Sequence, residues 1–366
     1  MTIFSFDRIT DVRKIGVLHL NQIGDLIFSL PLLKALREFC ARAEIHSVVR
    51  PHLGELLLDS PYVDRIIQRK RGIANGLRLL SEIRRTQYDL VISLSDSPSC
   101  LMIAGLSGAK GRVGFRHFPW DGGLNVKEVP EGYHSWHNDL RLLKKLKIPV
   151  AQMDYVGLLT LREPKEVEGS MESWWSNIGN HYVVLAPGTS VRRGIKAWEE
   201  KKFGEVIVLL KKTYGFTPVL VGDEKDREVN ERVIEEAKQR DRNGKMDSIV
   251  NLAGKTNLAD LCHLLKRARL FVGVDSGIMH LASSLDIPVV GIFGPTDPSQ
   301  VGPQNKRSVV VQKREMECVP CDLKGCEERR CLTGLDVKEV FDACRQLLVN
   351  TPVALDGPAG ITSKAL

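Results

Sequence analysis

The stretch FVGVDSGIMHLA, residues 271–282, predicts a buried strand that turns directly into a helix. Its first four residues carry no charge, as in a strand covered on both faces. Asp275 and Ser276 follow where a helix would be capped, and the helix then carries His280. Such turns bind ligands in open α/β sheets, and their exposed N–H groups suit a diphosphate. An ordinary capping turn, with His280 packed against the next strand, explains the same residues equally well.

The same strand-then-helix rhythm extends in both directions from this stretch. Apolar runs at 15–20, 45–49, 65–67 and 89–94 precede it, and runs at 182–186, 217–221, 270–274 and 288–293 form a second series. Alternation of short apolar runs with longer amphipathic ones indicates parallel sheets with helical crossovers. The first helix is expected to run to about residue 42, with Pro31 in its first turn if Ser29 caps it. The sequence therefore predicts an α/β protein with two doubly wound sheets.

Length and composition support two domains. The chain has 366 residues, 43% hydrophobic and 27% charged, which is enough for two cores. Residues 158–180 are charged and broken, as in an interdomain connection. We expect an N-terminal domain over residues 1–165, a C-terminal domain over 166–349 and a loose tail over 350–366.

Charge and hydropathy exclude several classes of protein. The net charge is +7, but no long Lys/Arg tract or interleaved aromatic stripe accompanies it, so we expect no nucleic-acid partner. Phosphorylated small molecules or an anionic membrane surface fit this charge. No apolar run reaches the length of a membrane span, and the N-terminus lacks the apolar core of a secretory signal. We expect a cytoplasmic protein.

Two familiar nucleotide fingerprints are missing. Gly254-Lys255-Thr256 ends like a P-loop, but Ile249 stands where that motif needs glycine. No G-x-G-x-x-G follows the first predicted strand. Kinase, ATPase and hydride-transfer functions lose their main support.

Two further loops leave predicted strand ends. The stretch PGTSVRRGIKAW, residues 187–198, offers glycines, hydroxyls and cations, as a phosphate cradle requires, although a solvated basic loop has the same composition. The loop NQIGD, residues 21–25, places Gly24 where a close approach to the backbone is allowed. Asp25 at the helix start suits either a base that takes a proton from a hydroxyl or an acid that complements the helix dipole.

Four of the eight cysteines are crowded together: Cys318, Cys321, Cys326 and Cys331. A reducing compartment argues against disulfides, and the spacing matches no standard zinc ribbon. A structural zinc and four free thiols both remain compatible with this spacing, and neither makes the cluster catalytic.

Taken in order, these motifs resemble glycosyltransferase family nine, the ADP-heptose:lipopolysaccharide heptosyltransferases. HLNQIGDLIFSLPLLKALR resembles the N-terminal signature, APGTSVRRGIKAW the donor-phosphate stretch, VGDEKDREV the donor-ribose strand, and FVGVDSGIMHLASSLDIPVVGIFGPTDP the most recognisable block. The resemblance runs from about residue 15 to 344. It implies a GT-B fold with two Rossmann-like domains, the donor in the C-terminal domain and the acceptor facing the N-terminal one.

The resemblance also implies roles for single residues. Asp25 matches the general base of an inverting transfer, and Lys196 stabilises the departing ADP. The substrate-binding set is Gly24, Thr189, Ser190, Glu224, Asp275, Ser276, Gly277 and His280. The implied partners are ADP-heptose, as the nucleotide-sugar donor, and a lipid-linked sugar acceptor in the lipopolysaccharide inner core, reached by peripheral contact with the inner face of the cytoplasmic membrane. No metal and no cofactor are expected.

Two other functions remain open at this stage. One is a GT-B transferase or epimerase that uses another nucleotide-sugar. The other is a non-catalytic nucleotide-binding protein whose clustered cysteines are its working part.

Overall fold

The first half of the chain forms one parallel sheet. The computed structural model describes residues 11–150, 153–161, 172–189, 191–241, 248–321 and 326–349. Six strands have the order β3-β2-β1-β4-β5-β6. Their bounds are β1 Lys14–Leu18, β2 Glu44–Val49, β3 Arg65–Gln68, β4 Leu90–Ser93, β5 Gly111–Phe115 and β6 Val126–Glu128. This is the order of a Rossmann sheet, with its switch point between β1 and β4.

The second half repeats the arrangement. Its six strands have the order β12-β11-β10-β7-β8-β9, all parallel. Their bounds are β7 Tyr182–Ala186, β8 Thr217–Leu220, β9 Val250–Asn251, β10 Phe271–Val274, β11 Val289–Ile292 and β12 Ser308–Val311. The switch point lies between β7 and β10. The prediction of two doubly wound parallel sheets is confirmed.

Helices cover the sheets and connect their strands. In chain order they are α1 Ile23–Phe39, α2 Ile73–Thr86, α3 Pro98–Leu106, α4 Ser135–Lys145, α5 Glu172–Ile178, α6 Glu200–Tyr214, α7 Arg227–Arg240, α8 Leu258–Arg267, α9 Gly277–Ser284, α10 Pro298–Val301, α11 Arg330–Thr333 and α12 Val337–Val349. Short 3-10 segments lie at Pro51–Leu57, Trp120–Gly123, Val191–Lys196 and Glu224–Asp226. No helix in the described ranges is long and apolar enough to cross a membrane.

The eight apolar runs all contain strands, with ends shifted by at most two residues. Four strands had no strong signal in the sequence. β5 and β6 carry glycines or charges, β9 has two residues, and β12 is partly exposed. Strands at or near a sheet edge need less apolar surface, so their patterns are weaker.

The expected start of α1 is wrong. The helix begins at Ile23, so that Pro31 lies inside it. Ser29 donates its hydroxyl to the Leu26 carbonyl and does not cap the helix. Most of α1 is buried, and this burial outweighs the backbone hydrogen bond that an internal proline removes.

The two domains meet along α1 and α9. One cluster of buried apolar side chains includes residues of both domains. Phe28 on α1 packs its ring against His134, Tyr155 and His280, at centroid distances of 4.9, 5.5 and 4.7 Å. The interface therefore lies close to the carboxyl ends of β1 and β10. The proposed boundary at residue 165 and the tail over 350–366 fall outside the described residues.

Candidate functional site

The C-terminal switch point brings two loops together. The loop after β7 ends in the 3-10 segment that carries Lys196, and the loop after β10 begins with Asp275. Lys196 donates through Nζ to Asp275 Oδ2, across 79 residues of sequence. Crevices at such points are where open α/β sheets bind ligands.

Asp275 is surrounded by donors. Besides Lys196, the Thr296 hydroxyl donates to its Oδ2 at 2.8 Å, and His280 Nε2 lies 3.5 Å from its Oδ1. Three residues of this group are buried, with exposed fractions of 5% for Asp275, 7% for Lys196 and 5% for His280, and Thr296 is half-buried. A buried carboxylate is tolerated only with partners of this kind.

The pKa of Asp275 reflects two opposing effects. Burial raises it, but the hydrogen bond from His280 and the charge of Lys196 outweigh burial and bring the pKa below its ordinary value. Asp275 is therefore a charged group whose acceptor capacity is used within the protein. Lys196, Asp275, Thr296 and His280 are called the anchor cluster below.

The amino end of α9 adjoins the anchor cluster. Ser276 occupies the N-cap position with extended backbone angles, φ −150° and ψ 164°. Its side chain makes no capping hydrogen bond, contrary to the capping turn considered from the sequence. Among the described residues, Ser276 Oγ and His280 Nδ1 are buried without a hydrogen-bond partner. Buried polar atoms without a protein partner, at the amino end of a helix, are suited to bind a polar ligand.

Glycines allow α1 and α9 to approach closely. A Cβ atom at Gly24 would lie 2.6 Å from His280 Cδ2, and one at Gly277 would lie 2.9 Å from Ile23 Cβ. Gly24 was expected to admit another molecule, but its backbone faces His280 of the other domain. Glycine at these two positions therefore brings the N-terminal domain against the anchor cluster.

Asp25 lies in the first turn of α1 and is half-buried. The nearby Asp139 on α4 is 6% exposed. Burial, and secondly the Asp25 charge, raise the pKa of Asp139 well above its ordinary value. Burial thus favours a neutral Asp139 beside a more accessible Asp25.

The remaining predicted residues lie around the anchor cluster. Thr189 is half-buried in the loop after β7, whereas Ser190 lies outside the described residues. Glu224 follows β8, one strand away, and its Oε2 lies 2.8 Å from Arg227 Nη2. A Cβ at Gly254 would lie 2.0 Å from the same Oε2, so that glycine makes room for Glu224.

Sequence reasoning missed several polar residues. Thr296 belongs to the anchor cluster and lies in the GPTDP loop after β11. A single hydroxyl in a loop gives little indication of a functional site in the sequence. Arg50 and Arg69 follow β2 and β3, and both donate to Asn21 Oδ1 beside α1. Burial first, and then the charges of Arg69 and Arg71, lower the pKa of Arg50. Cations that follow two neighbouring strands are the sequence signal for this group.

The clustered cysteines lie next to the loop that carries Lys196. The thiols Cys318, Cys321, Cys326 and Cys331 are free and line one cavity of about 200 Å³. Arg329, beside them, donates to the carbonyls of Gly194 and Ala197 at 3.3 and 3.4 Å. In the described part of the chain, no three His, Cys, Asp or Glu side chains are grouped as a metal site requires.

Comparison with known proteins gives a family. The model of glycosyltransferase family 9 (heptosyltransferase) matches residues 76–332. Lipopolysaccharide heptosyltransferase 3 of Escherichia coli K12 is 26% identical over 340 residues, covering 89% of this chain and 95% of that protein.

Solved structures share the fold. ADP-heptose lipopolysaccharide heptosyltransferase II of E. coli has a TM-score of 0.75 at 21% identity, covering 92% of this chain and 98% of that one. The E. coli heptosyltransferase WaaC with ADP-2-deoxy-2-fluoro heptose has a TM-score of 0.67 at 19% identity, covering 91% and 99%. Together with the two six-stranded sheets, these similarities confirm the GT-B fold.

Proposed function

The chain belongs to glycosyltransferase family 9, the heptosyltransferase family, and on this premise we propose that it transfers heptose from ADP-heptose to a lipopolysaccharide inner-core acceptor, with inversion at the anomeric carbon. The N-terminal domain, residues 1–165, faces the acceptor, and residues 166–349 hold the donor. The transfer needs no metal and takes place at the inner face of the cytoplasmic membrane.

The observation that carries this proposal is the anchor cluster at the C-terminal switch point. Lys196 is a cation held beside a helix amino end, and Ser276 Oγ and His280 Nδ1 next to it have no partner among the described residues. Cation, N–H groups and hydroxyl together match the needs of a diphosphate. A structure of the same fold carries an ADP-heptose analogue.

In this proposal Asp275 does not contact the diphosphate but positions the side chains that are hydrogen-bonded to it. A carboxylate would repel a diphosphate at contact distance, and its acceptor sites already face Lys196, Thr296 and His280. Ser276, Gly277, Thr189 and Ser190 are then the diphosphate contacts, with Glu224 on the nucleoside side. Lys196 stabilises the negative charge that develops on ADP as it leaves.

Asp25 is the proposed base. The acceptor hydroxyl oxygen bonds to the anomeric carbon from the face opposite ADP, the bond from that carbon to the phosphate oxygen breaks, and the hydroxyl proton passes to the Asp25 carboxylate. Burial favours the neutral form of Asp139, so Asp25, the more accessible of the two carboxyls, is the one proposed to accept the proton. General base catalysis of this kind contributes about 10²–10⁴-fold to a rate.

The acceptor is proposed to be anionic. Arg69 and Arg71 lie close enough to Arg50 for their charges to lower its pKa. The three arginines follow β2 and β3, at the same sheet edge as Asp25. Phosphate or carboxylate groups on an inner-core sugar would relieve this repulsion.

The test is transfer with purified enzyme, ADP-heptose and a truncated lipopolysaccharide acceptor, in the presence and absence of a chelator. We expect ADP release with one heptose added, NMR couplings that show inversion, and no loss of rate with the chelator. Asp25→Asn should lower the rate by about 10²-fold or more while ADP still raises the melting temperature as in the wild type.

Other outcomes would redirect the assignment. Stabilisation by a UDP-sugar but not by ADP or ADP-heptose would exclude ADP-heptose as donor. An unchanged rate in Asp25→Asn would remove Asp25 from the mechanism, and binding of ADP-heptose without transfer to any acceptor would favour a nucleotide-binding protein.

A further inference from the structure

Large apolar side chains are exposed on one part of the N-terminal domain. They are Ile73 and Leu77 on α2, Met102 and Leu106 on α3, and Phe118 and Trp120 after β5, with exposed fractions of 86, 63, 47, 53, 86 and 43%. These six residues are called the α2–α3 surface below. Soluble proteins seldom leave such side chains together in water, and grouped exposure marks an interaction site.

The six side chains belong to adjoining elements. α2 and α3 bury their opposite faces in one cluster, through Leu79 and Ile83 of α2 and Leu101 of α3. Ile73 and Leu77 are four residues apart, as are Met102 and Leu106, so each pair lies on one face of its helix.

The loop after β5 contacts α3 at this surface. A Cβ atom at Gly123 would lie 2.5 Å from Gly105 Cα, so the segment Trp120–Gly123 packs directly on α3. Trp120 is the first residue of this segment and Phe118 lies two residues before it, so both exposed aromatic side chains are close in sequence to the part of the loop that contacts α3.

The chain around this surface is basic. From Arg69 to Asp121 there are nine Lys and Arg residues against four Asp and Glu residues. Arg78, Arg84 and Arg85 on α2 are exposed, as is Arg116 before Phe118. Aliphatic and aromatic side chains bordered by cations match the interfacial region of an anionic bilayer.

We propose that the α2–α3 surface binds an anionic membrane, with its six apolar side chains entering the headgroup region and the surrounding arginines facing lipid phosphates. A second copy of this chain fits less well, because a symmetric contact would bring the two sets of arginines together.

This surface also adjoins the proposed acceptor site. α2 follows the Arg69–Arg71 loop, and α3 and Phe118 follow β4 and β5 at the sheet edge that carries Asp25. Docking would therefore present the cleft to a lipid-linked acceptor. That consequence rests on the proposed function, whereas membrane binding itself does not.

The test is co-sedimentation of the full chain with vesicles of phosphatidylglycerol and phosphatidylethanolamine, with phosphatidylcholine vesicles for comparison and no donor or acceptor present. We expect binding to the anionic vesicles that weakens with salt. Ile73→Ser/Leu77→Ser should weaken it about tenfold or more. The matched control is Val349→Ser, which replaces a side chain 78% exposed on α12.

Wild-type protein that stays in the supernatant with anionic vesicles would overturn the proposal, as would equal binding by the Ile73→Ser/Leu77→Ser variant. A dimer in sedimentation velocity that this variant abolishes, without vesicle binding, would assign the surface to a second copy instead. Transfer to a deacylated, water-soluble acceptor should be unchanged in the variant. Vesicle binding without transfer to any acceptor would support the membrane-binding role of this surface and contradict the proposed heptosyl transfer.

Discussion

Replacement of Asp275 by asparagine tests the anchor cluster most directly. The amide can still accept the Thr296 hydrogen bond, but it removes the charge that balances Lys196. Both side chains are nearly closed to solvent, at 5 and 7% exposure. The substitution therefore leaves a buried ammonium group without its counter-charge.

The expected cost follows from that burial. Breaking a buried ion pair by removing one partner costs about 3–5 kcal/mol. We expect about 3 kcal/mol, the lower end of this range, because the amide oxygen of the new side chain can still accept a hydrogen bond from the Lys196 ammonium group. For a cooperative unit of this domain's size, that corresponds to a melting temperature lower by about 6–12 °C.

The assay is thermal unfolding of Asp275→Asn, Lys196→Met and the double variant, each with and without ADP. The double variant contains no unpaired buried charge, so it should be more stable than Asp275→Asn alone. All three should gain less from ADP than the wild type, because a correctly positioned Lys196 is absent. Comparison of stability with ADP binding thereby separates the structural role of the pair from its role toward the donor.

Two results would refute this reasoning. One is an Asp275→Asn protein that melts within about 1 °C of the wild type, since a shift of that size corresponds to well under 1 kcal/mol. The other is a double variant that is less stable than Asp275→Asn, because removal of the lone charge should relieve the penalty.

Substitutions and pH changes near the domain interface have equally definite expected outcomes. Gly24→Ala should cost about 1–3 kcal/mol and slow transfer, because its Cβ would lie 2.6 Å from His280 Cδ2; unchanged melting and kinetics would contradict this. Asp139→Asn should raise the melting temperature at pH 7.5. Burial raises the pKa of Asp139 in the native state, so the wild-type protein loses stability as the pH rises above the pKa of this carboxyl in the unfolded chain, which is near 3.8. Equal melting curves at pH 7.5 would be evidence against this prediction. Burial lowers the pKa of His19 to about 3 and of His134 to about 4. The contribution of these two histidines to the free energy of unfolding is complete above pH 6.5, the pKa of histidine in the unfolded chain, and falls by up to about 2 kcal/mol each by pH 5. A melting temperature that stays constant between pH 7 and 5 would count against both.

Part of the candidate site was accessible from local patterns. Gly24 to Asp25, Thr189 to Lys196 and Asp275 to His280 each follow a strong apolar run, and strand ends of one parallel sheet lie at one edge. The structure brings Lys196, Asp275 and His280 into contact and sets Gly24 against His280. Glu224 lies one strand away and pairs with Arg227.

Other features have no local signature. Thr296 was missed because its hydroxyl gains meaning only from Asp275, which lies 21 residues away. The start of α1 was misjudged because Pro31 argues locally against a helix, whereas tertiary burial maintains one. The exposure of Ile73 and Phe118 was equally inaccessible, since an apolar residue in a pattern is by default assigned to the core.

The sequence by itself determined the two sheets, the strands at their centres and the loops that follow those strands, because these depend on the spacing of apolar residues along a few turns or strands of chain. Only the tertiary structure decided what each polar residue of the site faces. The stretch 271–282 placed Asp275 at a strand end, and only the structure shows that it is a buried carboxylate in contact with Lys196, Thr296 and His280. The reason is physical: burial and charge pairing depend on contacts between residues far apart in the chain, and no local pattern records them.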